Sequence, residues 1–476
     1  MKRGLVLTIA GILCLCGCSR REQPRKPDAT CEITWVVEEE IPAGNVKAVN
    51  DLLQKKGYDL SLTFLRIDGD PTGENPDKYR NELGQLATEK KADIASLGWG
   101  YVNAPGSCSE FLRKGYSYTL DDWLETKEGK KVFELYDQEI WDTCRIDGKI
   151  VAFPNESQVV GPATVVGFNE NYVSKEQVDQ WDGSWKDLFR LMQEITLPED
   201  VYMVSGYPTI DGFMDAKAGE DYLLQDKLVY DLQQKQFTHL FDVEEFYEYL
   251  CFLHQCWEEK YMFDVYMDRD ELSSEIWDSM EQGNYAVDIL ADANRPEDHV
   301  IYVEAPSYLI ENNLGTQTIV LKDSPHVEES LRLLAALRTD DELANALVCG
   351  QEGQDYSLND EGKIEGGTGI AGVYLNLADG ILPDAGSPWD DFRAHKKSLL
   401  QSDKRISSGI AGFYPDYSAV RQEMTDYLQI LGEYENCWQD KDFKQKYQEG
   451  KEKLDKQAKT LLDEVQKQLE EWRGNQ

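Results

Sequence analysis

The stretch Asp147 to Tyr172, DGKIVAFPNESQVVGPATVVGFNENY, constrains the fold more than any other part of the chain. A turn at Asp147-Gly148 leads into a short apolar strand, Ile150 to Phe153, which stops at Pro154. A Gly-Pro break at Gly161-Pro162 then precedes a second apolar strand, Ala163 to Phe168. Strands and helices alternate before this stretch, and the alternation restarts after it. One compact unit therefore feeds a second through an extended crossover, and the joint reads as a hinge; two adjacent core strands of a single large domain are the alternative. A cleft between hinged lobes can bury most of a small ligand when it closes.

The start of the chain stands apart from the fold. Lys2 and Arg3 precede an apolar run, Gly4 to Leu15, that is too short to span a bilayer, so residues 1–18 read as a signal segment. Leu15-Cys16-Gly17-Cys18 resembles the lipobox of bacterial lipoprotein signal peptides, which implies lipidation of Cys18 as the first residue after cleavage. The alternative is a cleaved secretory signal with Cys18 unmodified. Residues 19–30, polar and rich in proline and charge, form a tether. Acyl chains contribute about 0.8 kcal/mol per buried CH2, so several would hold the chain at the outer face of the cell membrane. No later stretch is apolar for long enough to make a transmembrane helix.

At 476 residues, 41% hydrophobic and 11% aromatic, the chain can build two or three cores. Its formal net charge is −40, two units more negative once Lys2 and Arg3 are removed, which repels phosphate backbones and excludes nucleic acid as a partner. Anionic lipid is disfavoured for the same reason, so membrane association would rest on the lipid anchor alone. Cysteines 31, 108, 144, 251, 256, 349 and 437 remain after Cys18, an odd set that leaves at least one free thiol. Cys251 and Cys256, five apart on a predicted helix, diverge and do not pair with each other.

Glu32 to Val37 is a predicted first strand, Val46 to Lys56 a helix ending at Gly57, and Leu60 to Ile67 a second strand, which makes a unit of an α/β lobe with a mainly parallel sheet. Ala92 to Leu97 is a further strand, followed by the loop Gly98-Trp99-Gly100-Tyr101. Ligands of open α/β sheets sit beyond the carboxyl ends of the strands, which places Trp35 to Glu39 and Trp99 to Tyr101 on the rim. Aromatic faces there suit sugar rings, with carboxylates and amides binding the hydroxyls.

After the hinge, Ser184 is a predicted N-cap for a helix running to Glu194. Val201 to Tyr207 and Tyr285 to Leu290 read as strands, the second ending at Ala291-Asp292. Phe246, Leu250, Leu253 and Trp257 form a core stripe at helical spacing. Ile301 to Ala305 reads as a strand leading back across the hinge, and Thr339 with Glu342 as a capping box. From Lys441 to Trp472, apolar residues at three- and four-residue steps make a long amphipathic helix that packs on its own lobe, a coiled coil being the alternative that a pattern of only about three heptads disfavours.

Several of these stretches resemble the extracellular solute-binding lipoproteins of bacterial ABC importers, the broad family that includes maltose-binding protein. DGKIVAFP followed by ATVVGFNENYV is similar to that family's strand, crossover and FN pattern. His326 to Leu358 and GFYPDYSAV, Gly412 to Val420, resemble a Gram-positive subgroup of oligosaccharide-type binding lipoproteins, although Cys108 and Cys349 depart from its pattern. The resemblance implies a two-lobe α/β fold with mainly parallel sheets flanked by helices and joined by hinge strands, a glycan-like ligand in the cleft, and delivery to the transmembrane permease subunits. The expected division is residues 31–162 with 310–365 in one lobe and 163–309 with 366–476 in the other.

Rival chemistries have little to stand on. Gly367 to Gly372 matches G-x-G-x-x-G without a flanking strand and helix, and the Asp68 to Glu74 loop begins like a calcium site but carries Tyr79 where the bidentate glutamate belongs. Histidines 239, 254, 299, 326 and 395 are scattered, so neither metal nor cofactor is expected. A glycan-acting enzyme, needing only two carboxylates, stays open, as does a surface scaffold. The favoured expectation is a monomeric, non-enzymatic receptor for a carbohydrate or similar polar solute. In it Trp35, Trp99, Tyr101 and Tyr207 stack on the ligand, Glu39, Asn155 and Asp292 bind its hydroxyls, and Glu352 and Tyr356 line the rim near the second crossing.

Overall fold

The computed structural model describes residues 31–38, 40–68, 78–98, 106–155, 160–161, 166–198, 201–205, 221–262, 283–289, 299–303, 308–312, 314–315, 317–365, 382, 398, 400–403 and 405–475. Residues 1–30, Glu39, Trp99, Tyr101, Tyr207, Asp292, the acidic stretch after Asp68 and the Gly367 to Gly372 motif lie outside them.

The first lobe opens with β1 (Cys31–Val37), α1 (Ala43–Lys55), β2 (Leu60–Arg66), α2 (Lys78–Glu89) and β3 (Ile94–Ser96). Val49 and Leu53 give α1 its buried stripe, and Gly57, with φ of 82°, lets the chain turn out of it. Each helix carries the chain back to the same edge, so β1 pairs in parallel with both β2 and β3. Four short helices follow, α3 (Ser107–Arg113), α4 (Asp121–Leu124), α5 (Lys127–Phe133) and α6 (Gln138–Asp142). They lead to a hairpin of β4 (Arg145–Ile146) and β5 (Lys149–Ile150), whose turn holds Asp147 and Gly148 at φ of 49° and 78°, as expected for Asp-Gly.

The chain crosses through β6 (Val160–Gly161) into β7 (Val166–Asn169), then makes α7 (Lys175–Gln180), α8 (Trp185–Gln193), β8 (Tyr202–Ser205), a ribbon of β9 (Tyr222–Gln225), β10 (Leu228–Asp231) and β11 (Gln236–Thr238), α9 (Glu244–Glu258), β12 (Tyr285–Asp288) and β13 (Val300–Val303). Ser184 caps α8 as expected, its hydroxyl accepting from the Asp187 N–H at 3.1 Å. The second sheet has the order β13-β7-β12-β8; β7 runs antiparallel to both its neighbours and only β12 and β8 are parallel, so this sheet departs from the mainly parallel one expected. β13 stays in this sheet beside β7; the strand that crosses back is β14 (Tyr308–Ile310) rather than the expected Ile301 to Ala305.

Beyond it β15 (Thr318–Val320) completes the first sheet antiparallel to β3, giving the order β15-β3-β1-β2. α10 (Val327–Thr339), α11 (Asp341–Cys349) and a ribbon of β16 (Ser357–Leu358) and β17 (Ile364–Glu365) finish this lobe. The cap of α11 is Asp340 and not Thr339: the Asp340 carboxylate accepts from the N–H groups of Glu342 and Leu343, while the Thr339 hydroxyl stays in α10 and donates to the Ala335 carbonyl. An ionised acceptor outcompetes a hydroxyl for those amides. The last elements are β18 (Arg405–Ile406), α12 (Arg421–Tyr434) and α13 (Phe443–Gly474).

Two large apolar cores result among the described residues, with a small third cluster of Ile140, Ile310 and Leu400 at β14. One draws on residues from Ile33 to Phe153 and from Leu314 to Ile364, the other on residues from Val166 to Leu309 and from Ile410 to Leu469. The expected stripe of α13 is buried in the second, with Leu454, Ala458, Leu461, Val465 and Leu469 all fully inaccessible. Between the cores, β6, β14 and β18 join in one sheet of order β18-β14-β6, each strand supplied by a different passage of the chain between lobes. Among the described residues no two of the seven cysteines are joined in a disulfide, and burial pushes the Cys144 thiol up to about 12.

Candidate functional site

The carboxyl edge of the first sheet is built from β1 and β3. Gly98, one residue past Leu97, has φ of 91°; a Cβ there would come within 2.9 Å of the Tyr79 ring and 3.1 Å of the Glu38 carboxylate, so the three groups are packed at one place. The Tyr79 hydroxyl donates to the Ser96 carbonyl at 2.7 Å. Burial and then the Glu38 charge hold its phenol well above the usual value, which keeps it a donor.

Trp35 does not take the rim position expected for it. β1 is an internal strand covered on both faces, so Trp35 is wholly buried, its ring stacked on Phe64 at 5.7 Å and its Nε1–H donating to the Ser96 hydroxyl at 3.3 Å. It supports the end of β3 from behind.

Asn155 is brought to this edge by a relay. Its backbone N–H donates to the side-chain oxygen of Gln317, and the Gln317 carbonyl accepts the Leu97 N–H at 2.9 Å. Asn155 and Gln317 are both buried, at the points where the first crossing leaves lobe 1 and the second enters it. Glu352 and Tyr356, expected on the rim near the second crossing, are supplied by a later part of the chain. They form a turn after α11, linked by a bridge and by the Gly353 N–H donating to the Tyr356 carbonyl at 2.8 Å. Asp355 of the same turn abuts Gly44 at the start of α1, which follows the carboxyl end of β1, so the turn belongs to the same edge by a different route. Glu352 is exposed and Tyr356 half-buried.

The second lobe presents Ser205 at the end of β8 and Asp288 opposite it at the end of β12. Both are buried, and the Ser205 hydroxyl has no hydrogen-bond partner among the described residues. Neither was singled out from the sequence, although a charged residue closing the apolar run YAVD is a legible signal. The expected Tyr207 and Asp292 follow them by two and four residues in the sequence, outside the described residues. The two edges thus offer carboxylates, amides and hydroxyls, groups that bind a polyhydroxylated solute. The described histidines lie elsewhere: His326, for example, contacts Asp93 at 3.2 Å, at the amino end of β3.

A surface depression of about 460 Å³ lies away from this edge, between α2, α3 and the start of α12, with Asn81, Gln85, Glu110, Lys114 and Arg421 in its lining. It contains none of the expected residues. One cluster among the described residues could hold a cation, His239 with Asp242 and Asp455. The Lys451 ammonium already pairs with both carboxylates, so the cluster is an ion network between the ribbon and α13.

His239 carries a pH prediction. Its Nε2 lies 2.9 Å from Asp455 and 3.4 Å from Asp242, yet burial dominates and pushes the imidazole below its usual value. A buried neutral histidine contributes stability that is intact above about pH 6.5 and lost as pH falls from there through the lowered value, by up to about 1.4 kcal/mol per unit. Thermal melts at about pH 7 and pH 5 are expected to show this loss in the wild type and a smaller one in His239→Gln. Equal losses would mean that His239 is not the group responsible.

No family model matches the chain. A carbohydrate ABC transporter substrate-binding protein of Streptococcus pneumoniae serotype 4 is 24% identical over 363 residues, 68% of this chain and 70% of that protein. This similarity bears out the resemblance read from the sequence. Among solved structures, the N-glycan transport solute binding protein NgtS of Streptococcus pneumoniae matches with a TM-score of 0.63 at 17% identity, over 94% of this chain and 99% of that one. NgtS in complex with Man5GlcNAc matches with a TM-score of 0.55 at 19% identity, over 94% and 99%. The substrate-binding protein FusA of S. pneumoniae, in complex with kestose, gives 0.55 at 12% identity, over 94% and 100%. At these identities the structures speak for the fold, and the expected two-lobe α/β class is borne out.

Proposed function

We propose that this chain is the extracellular substrate-binding component of an ABC importer, a receptor that captures an oligosaccharide between its lobes and presents it to the permease subunits. The observation that carries the reading is the single sheet woven from all three crossings between two separate cores, because it lets the lobes rotate as bodies about one joint. The sequence relative and the sugar complexes of structurally similar proteins support a carbohydrate ligand. Trp99, Tyr101 and Tyr207 stack on the sugar in this reading, while Glu39, Asn155 and Asp292, with Glu38, Ser205 and Asp288 added, bind its hydroxyls. Glu352 and Tyr356 extend the rim. Cys18 carries the lipid anchor, the mature chain acts as a monomer, and no described helix is long and apolar enough to cross a membrane.

Calorimetric titration of the chain from Ser19 onward against defined oligosaccharides, peptides and polyols tests this, with each ligand recovered and checked for cleavage. Saturable binding of an intact oligosaccharide is expected, with Trp99→Ala weakening it by about tenfold or more, equivalent to about 1.4 kcal/mol. Recovery of shortened sugar would make the protein an enzyme, and silence across the panel would favour a protein-binding scaffold.

A further inference from the structure

After the hinge strand β18 the chain does not pass directly into lobe 2. It runs along lobe 1 and bonds to it repeatedly. Arg405 pairs with Asp137 and with Glu139 at 2.9 Å, and the Ser407 hydroxyl donates to Glu139 at 2.6 Å. Gly412, with φ of 84°, lies so close to lobe 1 that a methyl group would overlap the Asp142 carbonyl oxygen. The Tyr414 hydroxyl donates to the Thr143 carbonyl at 2.6 Å, the Arg113 guanidinium donates to the Tyr414 carbonyl, and Arg421 pairs with Glu110 at 2.8 Å.

The same segment is rooted in lobe 2. Ile410, Phe413, Tyr417 and Val420 belong to the second core, and the Gln468 side-chain amide of α13 donates to the Asp416 carbonyl at 2.9 Å. The far end is fastened by Asp226, which the β9–β10 turn presents from lobe 2, with Asp226 and Lys227 both at positive φ. One Asp226 oxygen accepts the Gly106 N–H at the start of α3, and the other accepts the Tyr417 hydroxyl, each at 3.0 Å. Gly106 meets the Tyr417 ring so closely that a Cβ would come within 2.7 Å of it.

We propose that residues 405–421 are a strap that sets the resting angle between the lobes, and that Asp226 is its lock. This rests on the reading that the lobes rotate about the hinge sheet. Bonds made on β18 itself lie at the joint and move little in such a rotation. Those at Gly106 and Glu110 are at the end of the lever and must stretch or break, so they bias the angle without touching ligand. Losing a hydrogen bond to a charged group shifts a two-state ratio by about tenfold or more.

Small-angle scattering of the ligand-free chain is the test, so it does not depend on which ligand binds. Asp226→Ala and Arg421→Gln are expected to raise the radius of gyration, the double variant most, with circular dichroism unchanged. Asp226→Asn, which keeps one acceptor, should fall between. Tyr447→Phe loses a hydroxyl bond to the Phe241 carbonyl inside lobe 2 and serves as the control. If all the strap variants match that control and the wild type, the strap is a passive contact and the proposal is wrong. A chain that binds no carbohydrate but still opens on losing Asp226 would refute the receptor and leave the strap in place.

Discussion

A chain ending at Asp442 is expected to keep lobe 1 and lose lobe 2. α13 places Phe443, Tyr447, Leu454, Ala458, Leu461, Val465 and Leu469 in the second core. Each large apolar side chain contributes about 1.5–3 kcal/mol on burial, so together they exceed much of the roughly 5–15 kcal/mol by which a domain is stable. The Tyr447 hydroxyl and the Gln468 amide also bond to lobe 2 backbone, at 2.9 Å each. Differential scanning calorimetry should show the truncated chain without one of the unfolding transitions of the full chain, and with diminished near-ultraviolet dichroism. Survival of both transitions would mean that the helix is a peripheral addition.

The second large effect is at the hinge, where Phe153→Ala is expected to cost lobe 1 about 3–5 kcal/mol. The Phe153 ring meets Trp123 edge-on at 5.6 Å and Trp141 at 6.5 Å, and the Arg338 guanidinium lies over it at 4.6 Å. Arg338 is almost completely buried, so removing the ring leaves a cavity and takes away a face that the cation needs. Phe153→Leu restores most of the volume but not the π face, and should recover only part of the loss. Denaturant titration of the three proteins separates these contributions; equal stability of wild type and Phe153→Leu would remove the cation from the account.

Local chemistry made much of this fold legible. Asp147-Gly148 is a turn because those two residues tolerate positive φ, Ser184 caps because its hydroxyl reaches an amide three residues on, and α13 announces itself by its period. The hinge sheet could not be read in this way. β6 and β18 are two residues each, too short to show alternation, and their shared neighbour β14 is distant in sequence from both. Trp35 illustrates the same limit at the site. Whether it faces solvent depends on β1 being internal to its sheet, and strand order is not a local property. Gln317 escaped notice for a similar reason, since its value lies in joining Asn155 to Leu97 across two passages of the chain.

The interleaving of the lobes also governs when each can be finished as the polypeptide is made. β3 lacks its outer neighbour until Thr318 to Val320 has been synthesised, and Asn45 of α1 has nothing to bind until Leu347 and Val348 arrive to accept from its amide at 3.0 and 2.8 Å. The second core waits longer still, for Leu469 near the end of the chain. Contacts so far apart in sequence are entropically slow to close. Lobe 1 therefore lacks a full complement of core residues until Ile364 has been made, and lobe 2 until Leu469, so the lobe that starts first is also the first that can close.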